Sequence, residues 1–134
     1  MNNKFWNQEE PKIINFTLVE RPETYQWEIS WYIYEDLNSN WIKETTEKTM
    51  AWWKICIDKN NNNDCEENIE PFILTNNQGY YEFNWLTTWI YKILEIPHQN
   101  WILTNPTTKY YTINLSNWQK VTNKNFWNLK TKWK

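Results

Sequence analysis

Glycine is nearly absent from this chain. The 134 residues include one glycine, whereas average usage would give about nine. Tight turns favour glycine because its backbone enters the left-handed region without a steric penalty. Tryptophan is abundant, with 12 copies, so the missing glycines and the surplus tryptophans are similar in number. If the fold has many tight turns, both the lack of glycine and the excess of tryptophan need an explanation.

Other absences exclude whole classes of protein. No apolar run is long enough to span a membrane, and residues 1–5 lack the apolar core of a signal peptide. The 14 basic and 16 acidic residues give a net charge of −2 without a basic stripe, which argues against nucleic-acid binding. His98 is the only histidine, and no catalytic or zinc-binding pattern surrounds it, so we expect no enzyme.

Short segments rich in β-branched and aromatic residues recur along the chain, and none has a convincing helical pattern. The predicted strands span residues 28–34, 53–57, 71–75, 80–84, 90–96, 110–115 and 121–126. Seven or so short strands with turn signals between them predict an all-β fold, an antiparallel β-sandwich. We expect the domain over 25–128, after an N-terminal extension or linker (1–24, with a weak strand at 13–19) and before a basic tail (129–134).

The loop over residues 36–47, D-L-N-S-N-W-I-K-E-T-T-E, has the ligand spacing of an EF-hand-type calcium loop. Asp36, Asn38 and Asn40 occupy positions 1, 3 and 5, and Glu47 occupies position 12. The main-chain carbonyl of Ile42 would serve position 7. Position 6 needs positive φ and is normally glycine, but here it is Trp41.

The segment 58–70, D-K-N-N-N-N-D-C-E-E-N-I-E, repeats this logic. The residues at positions 1, 3, 5 and 9 are Asp58, Asn60, Asn62 and Glu66. Asn63 takes position 6, and asparagine tolerates the left-handed region. Position 12 is Ile69, so the loop is either expanded by one residue and closed by Glu70, or closed by Glu67.

Calcium prefers six to eight oxygen ligands, which alternating carboxylates and amides supply. Because asparagine replaces aspartate at several positions, the ligand charge is low. The expected affinity is that of weak extracellular sites, with Kd roughly 10⁻⁴ to 10⁻³ M. The alternative is that both loops are polar, asparagine-rich turns that bind nothing.

The two cysteines, Cys56 and Cys65, flank the start and the middle of the second loop. A disulfide between them would staple this loop to the preceding strand. Spacing does not fix the distance between two cysteines, so a buried thiol and an unrelated exposed thiol remain the alternative.

Residues 27–128 resemble the B-type domain of serine–aspartate-repeat surface proteins (SdrD B-like). The stretches that carry the resemblance are 27–31, 36–41, 51–52, 58–71, 75–83, 85–86, 89–91, 100–101, 118 and 126–127. Eight tryptophans fall on glycine or small-residue positions of that pattern: Trp27, Trp31, Trp41, Trp52, Trp85, Trp89, Trp118 and Trp127. Trp101 falls on the family's own tryptophan, Trp53 falls where an apolar residue is common, and Trp6 and Trp133 lie outside the pattern.

This coincidence suggests that many of the tryptophans stand for glycine. The codon UGA means stop in the standard code, tryptophan in one variant code and glycine in another. A UGA-as-glycine gene translated with the tryptophan table would give this composition. Large side chains at Trp31, Trp41 and Trp85 are then expected to occupy turn and close-approach sites and to lower stability.

The resemblance implies an extracellular, prealbumin-like (transthyretin-like, Ig-like) β-sandwich that binds Ca²⁺. Such a domain serves as a spacer or stalk in a bacterial cell-surface or secreted adhesin-like protein. The implied partners are calcium and neighbouring modules of the same surface protein, with a host or cell-surface ligand as a further candidate. The chain departs from the family pattern at Asn76, where the family has aspartate, and in its irregular second loop.

Two other functions compete with the calcium-binding spacer. A carbohydrate-binding module would use exposed tryptophans, chiefly Trp53 and Trp101, as platforms for sugar rings. A Cna-B-like domain would carry a Lys–Asn isopeptide link. The sequence assigns no lysine to that link, whose test is the loss of one ammonia from the mass.

Overall fold

A computed structural model describes residues 28–116 and 119–132, which form nine β-strands in two sheets. The strands are β1 (Glu28–Glu35), β2 (Lys54–Ile57), β3 (Phe72–Leu74), β4 (Tyr80–Phe83), β5 (Trp89–Ile96), β6 (Trp101–Asn105), β7 (Tyr110–Leu115), β8 (Lys120–Val121) and β9 (Phe126–Lys130). No helix occurs in these two ranges, so they contain none that could cross a membrane. The predicted extension 1–24, the weak strand 13–19 and Trp6, Trp27, Trp118 and Trp133 lie outside the described residues.

The two sheets form a β-sandwich. One sheet has the order β4-β1-β9-β6, with β8 also paired to β1, and the other has the order β3-β2-β5-β7. The predicted all-β, Ig-like sandwich is confirmed. Two pairings are parallel rather than antiparallel, because β8 and β9 both run alongside β1 in the same direction.

Alternating apolar residues form the core between the sheets, as their spacing predicts. Ile29 and Ile33 of β1 are fully buried, as is Ile93 of β5. Side chains at i and i+2 of a strand share one face, so each strand contributes every second residue to this core. Burying a large apolar side chain contributes about 1.5–3 kcal/mol. The other members are Trp31, Trp53, Ile55, Ile57, Tyr81, Phe83, Leu103, Ile113, Leu115 and Phe126.

The C-terminal half differs from the sequence prediction. The predicted strand at 121–126 is replaced by β8 and β9, because Asn123 has a left-handed backbone (φ 66°) that interrupts it. Strand β6 was not predicted. It is a short edge strand that, among the described strands, pairs only with β9, and its outward residue Ile102 is exposed, so its apolar alternation is weak.

The segment N-N-Q-G over 76–79 predicts a tight hairpin turn, and the structure has a tight turn there but no hairpin between β3 and β4. Gly79 donates its N–H to the carbonyl of Asn76 (3.0 Å) and has φ +74°. The turn joins β3 in one sheet to β4 in the other, and β4 pairs with β1 instead of β3. A Cβ at Gly79 would lie 2.7 Å from Cβ of Thr49, so this position requires glycine for space as well as for conformation.

Candidate metal centre

The first loop leaves the end of β1 and returns to the same strand. Glu35 donates its N–H to the carbonyl of Lys48 (2.8 Å), and an isolated bridge pairs Tyr34 with Thr49. Both ends of the loop are therefore fixed by the first sheet. Asp36, at position 1, also donates its N–H to the carbonyl of Asn128 in β9 (2.7 Å).

Buried carboxylates stand at both ends of this loop. Oδ1 of Asp36 accepts the N–H of Asn40 (3.1 Å), and Oδ2 accepts the Thr104 hydroxyl of β6 (2.7 Å). Glu47 accepts the N–H of Leu37 (2.7 Å) through Oε1. Its other oxygen accepts the N–H of Glu44 (3.1 Å). These bonds hold the carboxylates of positions 1 and 12 against the loop backbone.

The middle of the first loop is organised around Glu44, at position 9. The side-chain oxygens of Asn38 and Asn40 each accept a main-chain N–H two residues later, at 3.1 and 2.9 Å. Their amide groups donate to the Glu44 carboxylate at 3.3 and 2.7 Å. The bond from Asn40, and then that from Asn38, holds the pKa of Glu44 below its usual range. Glu44 was not among the predicted ligands, although Glu66 at the same position of the second loop was.

The second loop repeats this frame. The Glu70 carboxylate accepts the N–H of Lys59 (2.6 Å) and of Glu66 (3.0 Å), which matches the two bonds of Glu47. The bond from Glu66 is the largest cause that holds the pKa of Glu70 below its usual range. Glu70 therefore closes the loop, one residue late. Glu67 is exposed and instead forms an ion pair with Lys54.

The middle of the second loop also resembles that of the first. Asn60 and Asn62 donate their amide groups to the Glu66 carboxylate at 2.9 and 2.5 Å. Position 1 differs, because the Lys92 ammonium of β5 lies 3.3 Å from Oδ2 of Asp58. Burial acts to raise the pKa of Asp58, but the N–H groups of Asn63 and Asn61 and the Lys92 ammonium outweigh it, so the pKa is lowered.

Position 6 has a left-handed backbone in both loops, with φ 63° at Trp41 and 67° at Asn63. The predicted need for positive φ at this position is therefore met in each case. An asparagine adopts this conformation at small cost, whereas a tryptophan is strained there.

The donor atoms of these loops are all oxygens, which suits a hard cation such as calcium. Within 28–116 and 119–132, only Cys56, Cys65 and Glu70 bring three acidic, cysteine or histidine ligand atoms within 4.8 Å of one another. The two sulfurs form a disulfide, so this group is not a free metal site. A cation in either loop would need amide and main-chain oxygens beside the carboxylates. Each amide oxygen has a second lone pair for this, and the Asn–Glu bonds would be exchanged for contacts to the ion.

The tryptophans at family glycine positions fall into two structural groups. Trp41, Trp52 and Trp85 have φ of 63°, 66° and 61°, and their side chains are 48, 63 and 74% exposed. Trp89 is also exposed, at the start of β5. Trp31 corrects the expectation of a turn or close-approach site, because it lies in the middle of β1 and is buried against Tyr81 and Tyr111. Trp127, in β9, is buried as well.

The tryptophans proposed as sugar platforms pack within the protein. Trp53 is buried, stacks on His98 with ring centroids 4.4 Å apart, and meets Trp101 edge-on at 5.7 Å. Trp101 is half-buried. Trp53 thus presents no open face to a sugar ring.

A buried acid and amide meet in the core, where an isopeptide link would need them. Asn128 of β9 donates its amide to Glu95 of β5 (2.7 Å), and both side chains are buried. No lysine in the described part of the chain is buried. The two half-buried lysines, Lys54 and Lys92, pair with Glu67 and Asp58.

We therefore expect the intact mass of the purified protein to show no loss of ammonia, because Asn128 lacks a neighbouring amine in the described ranges. Electrospray mass spectrometry of the non-reduced protein measures this directly. A mass lower by one ammonia would contradict the expectation and place the amine outside those ranges. The Asn128→Ala variant is the matched control, since it removes the one side-chain amide that the described residues place on Glu95.

No protein-family model matches this sequence, and no curated protein matches it. Solved structures with the same fold do exist. The minor pilin GBS52 of Streptococcus agalactiae superposes with a TM-score of 0.55 at 14% identity, over 81% of this chain and 46% of that one. The shaft pilin SpaA of Lactobacillus rhamnosus GG gives 0.50 at 10% identity, over 80% and 52%. BcpA, the major pilin subunit of Bacillus cereus, gives 0.50 at 13% identity, over 79% and 30%.

The chain thus spans about half or less of each of these proteins. At these identities the likeness concerns the fold alone. It shows that the two-sheet arrangement described above is the Ig-like β-sandwich that also occurs as one part of pilin subunits of Gram-positive bacteria.

Proposed function

We propose that this chain is a non-catalytic, calcium-braced structural module of a bacterial cell-surface or secreted protein. The observation that carries the proposal is the repeated frame of the two loops. In each, a buried aspartate and a buried glutamate enclose two asparagines and a central glutamate. Two loops with the same arrangement of side chains at different places in one fold indicate a shared function rather than a chance accumulation of polar residues.

A structural role for the cation follows from the composition of the loops. Leu37 and Ile42 in the first loop and Ile69 in the second are exposed, so neither loop has an apolar core of its own. A cation bound by residues at both ends of a loop would hold the loop in place, as an apolar core otherwise would. Calcium is the cation whose ligand preferences match this set of oxygens.

Two observations support the proposed surface location and the proposed relation to SdrD B-like domains. The sequence resembles SdrD B-like domains in both loops, and the fold is shared with pilin subunits of which it forms only a part. Such a module would have neighbouring modules of the same protein as its first partners. Extracellular calcium is plentiful enough to occupy weak sites.

Calcium should raise the melting temperature of the wild-type protein. For one site with Kd of roughly 10⁻⁴ to 10⁻³ M, about 10 mM free calcium contributes about 1.4 to 2.7 kcal/mol. We expect a rise of about 5 °C or more, reversed by chelation. The Glu47→Gln variant should lose about half of the rise, and Glu47→Gln with Glu70→Gln should lose nearly all of it. Thermal denaturation followed by circular dichroism measures these shifts.

Glu67→Gln is the matched control, because Glu67 lies in the same acidic segment but is exposed and forms an ion pair with Lys54 instead of closing the loop. It should keep the full response. A folded wild-type protein whose melting temperature ignores calcium would overturn the calcium proposal and leave the loops as polar turns.

We also infer that glycine is the natural residue at Trp41, Trp52 and Trp85. The support is their positive φ together with large exposed side chains, since tryptophan is strained in that conformation and gains little burial there. The codons of the gene test this inference: UGA at these three positions agrees with it, and UGG contradicts it.

A further inference from the structure

We propose that the Cys56–Cys65 disulfide is a redox control on cation binding by the second loop, with the first loop independent of it. The proposal rests on the calcium-binding function above and concerns the regulation of one of its two sites. Only the second loop contains a cysteine, and the structure joins it covalently to the strand that precedes the loop.

The disulfide touches the group that closes the second loop. Cys56 lies in β2 and is fully buried, and Cys65 occupies position 8 of the loop. Both sulfurs lie within 4.8 Å of a Glu70 carboxylate oxygen. That carboxylate accepts the N–H groups of Lys59 and Glu66 and so sets the positions of both halves of the loop. The covalent link thus packs on the residue that keeps the loop closed.

Cation binding by the second loop has less support from the surrounding residues than cation binding by the first loop, so the disulfide matters more to it. In the first loop, Asp36 is anchored by the Thr104 hydroxyl and is not an ion-pair partner within the described ranges. In the second loop, the Lys92 ammonium lies beside Asp58 and opposes a second positive charge there. The closing glutamate also comes one residue late, so the chain between Glu66 and Glu70 is longer. The link holds this loop in its binding conformation, which raises affinity because less ordering cost remains to be met on binding.

Reduction would proceed by thiol–disulfide exchange with a dithiol reductant. Cys65 is half-buried and Cys56 is fully buried, so a reductant thiolate attacks Sγ of Cys65 and Cys56 leaves as a thiolate that takes up a proton. The second thiol of the reductant then displaces Cys65 from the mixed disulfide. The reductant thus donates two electrons and two protons to the protein, which gains two thiols, and the reductant leaves as its own disulfide.

Once reduced, the second loop samples conformations in which Glu70 no longer closes it. The apparent affinity falls by the fraction of molecules that remain competent to bind. If about one molecule in ten stays competent, calcium binding weakens about tenfold. The first loop is unaffected, because it contains no cysteine and its ends are held by β1, Lys48 and Thr104, in the sheet that does not include β2.

Isothermal titration with calcium chloride separates the two loops. The Glu47→Gln variant leaves the second loop intact, and the Glu70→Gln variant leaves the first loop intact. Each is titrated oxidised and after reduction by dithiothreitol, with thermal melts to verify that it is folded. We expect Kd to rise at least tenfold on reduction of Glu47→Gln and to change less than twofold for Glu70→Gln. Glu47→Gln with Cys65→Ser should behave like reduced Glu47→Gln without any reductant.

The outcomes distinguish the two proposals. Calcium binding by oxidised Glu47→Gln that is equally tight after reduction overturns the redox control and leaves calcium binding standing. An equal loss of affinity in both variants on reduction also overturns it, because the effect would then come from the whole domain. If neither oxidised variant binds calcium at concentrations up to 10 mM, about ten times the weakest Kd expected of extracellular sites, the calcium function itself fails and the redox control fails with it.

Discussion

Replacing Glu95 by glutamine should remove most of the loss of stability that the wild-type protein shows between about pH 4.5 and about pH 8. Glu95 is buried in the core and accepts one hydrogen bond, from Asn128. Its Oε1 has no partner in the described structure. Burial raises the pKa of Glu95 from 4.5 to about 8, although the Asn128 bond acts in the opposite direction.

The sign of the effect follows from proton binding in the two states. An unfolded Glu95 releases its proton near pH 4.5, whereas the folded protein keeps it until about pH 8. Between these values the folded state binds more protons, so the free energy of unfolding falls as pH rises. A shift of this size corresponds to a loss on the order of 3–5 kcal/mol above pH 8. Glutamine cannot ionise and still offers an oxygen to Asn128.

Urea denaturation at pH 4.5 and pH 8.5 measures the effect. The wild type and Glu95→Gln should have similar stability at pH 4.5, and the variant should be more stable by a few kcal/mol at pH 8.5. Glu82→Gln is the control, and it should leave the loss of stability between pH 4.5 and pH 8.5 unchanged. Hydrogen bonds from Asn84 and Tyr80 hold the pKa of Glu82 below its usual range, so the pH dependence that it contributes lies below about pH 4.5. A Glu95→Gln variant with the same pH dependence as the wild type would contradict this account.

Glycine at Trp41, Trp52 and Trp85 together should raise the free energy of unfolding by about 3 kcal/mol. Each tryptophan has positive φ, and that backbone costs a non-glycine residue about 1–3 kcal/mol. The greater freedom of glycine in the unfolded chain offsets part of this gain, which leaves about 1 kcal/mol at each site. The three side chains are largely exposed, so their loss removes little packing.

Trp31→Gly should have the opposite effect, although it lies on a glycine position of the same family pattern. Trp31 is buried and packs against Tyr81 (ring centroids 5.9 Å apart) and Tyr111 (5.4 Å). Deleting a buried tryptophan costs about 3–5 kcal/mol. Denaturant midpoints of the triple variant, of Trp31→Gly and of the parent test both signs. A triple variant no more stable than its parent would remove the conformational argument for glycine.

The structure distinguishes two tryptophans, Trp31 and Trp41, that the sequence treats alike. Both lie on glycine positions of the same family pattern, and both were expected at turn or close-approach sites. Trp41 stands at position 6 of a loop whose backbone is left-handed. Trp31 stands in a strand whose alternation with Ile29 and Ile33 directs it inward. Alternate residues of a strand lie on the same face, so the predicted strand 28–34 already places Trp31 on the inward face with Ile29 and Ile33. The family pattern, which has glycine at this position, led instead to the expectation of a turn or close-approach site.

The sequence by itself determined the local features of this protein. Alternation of apolar residues placed six strands close to their observed positions and identified the all-β class, because side-chain direction in a strand depends only on the residue count. The spacing of aspartate, asparagine and glutamate located both loops. The same spacing identified position 6 as a residue with a left-handed backbone, because that requirement depends only on its place within the loop.

Only the tertiary structure decided what depends on contacts between distant residues. Thr104 reaches Asp36 across 68 positions, and Asn128 reaches Glu95 across 33. Within the second loop, the joining of Cys56 to Cys65 and the choice of Glu70 over Glu67 were also open, because spacing along the chain does not fix a distance in space. The division of the strands between two sheets was open as well. Such contacts depend on which strands become neighbours when the core packs, and a local pattern leaves many arrangements of comparable burial.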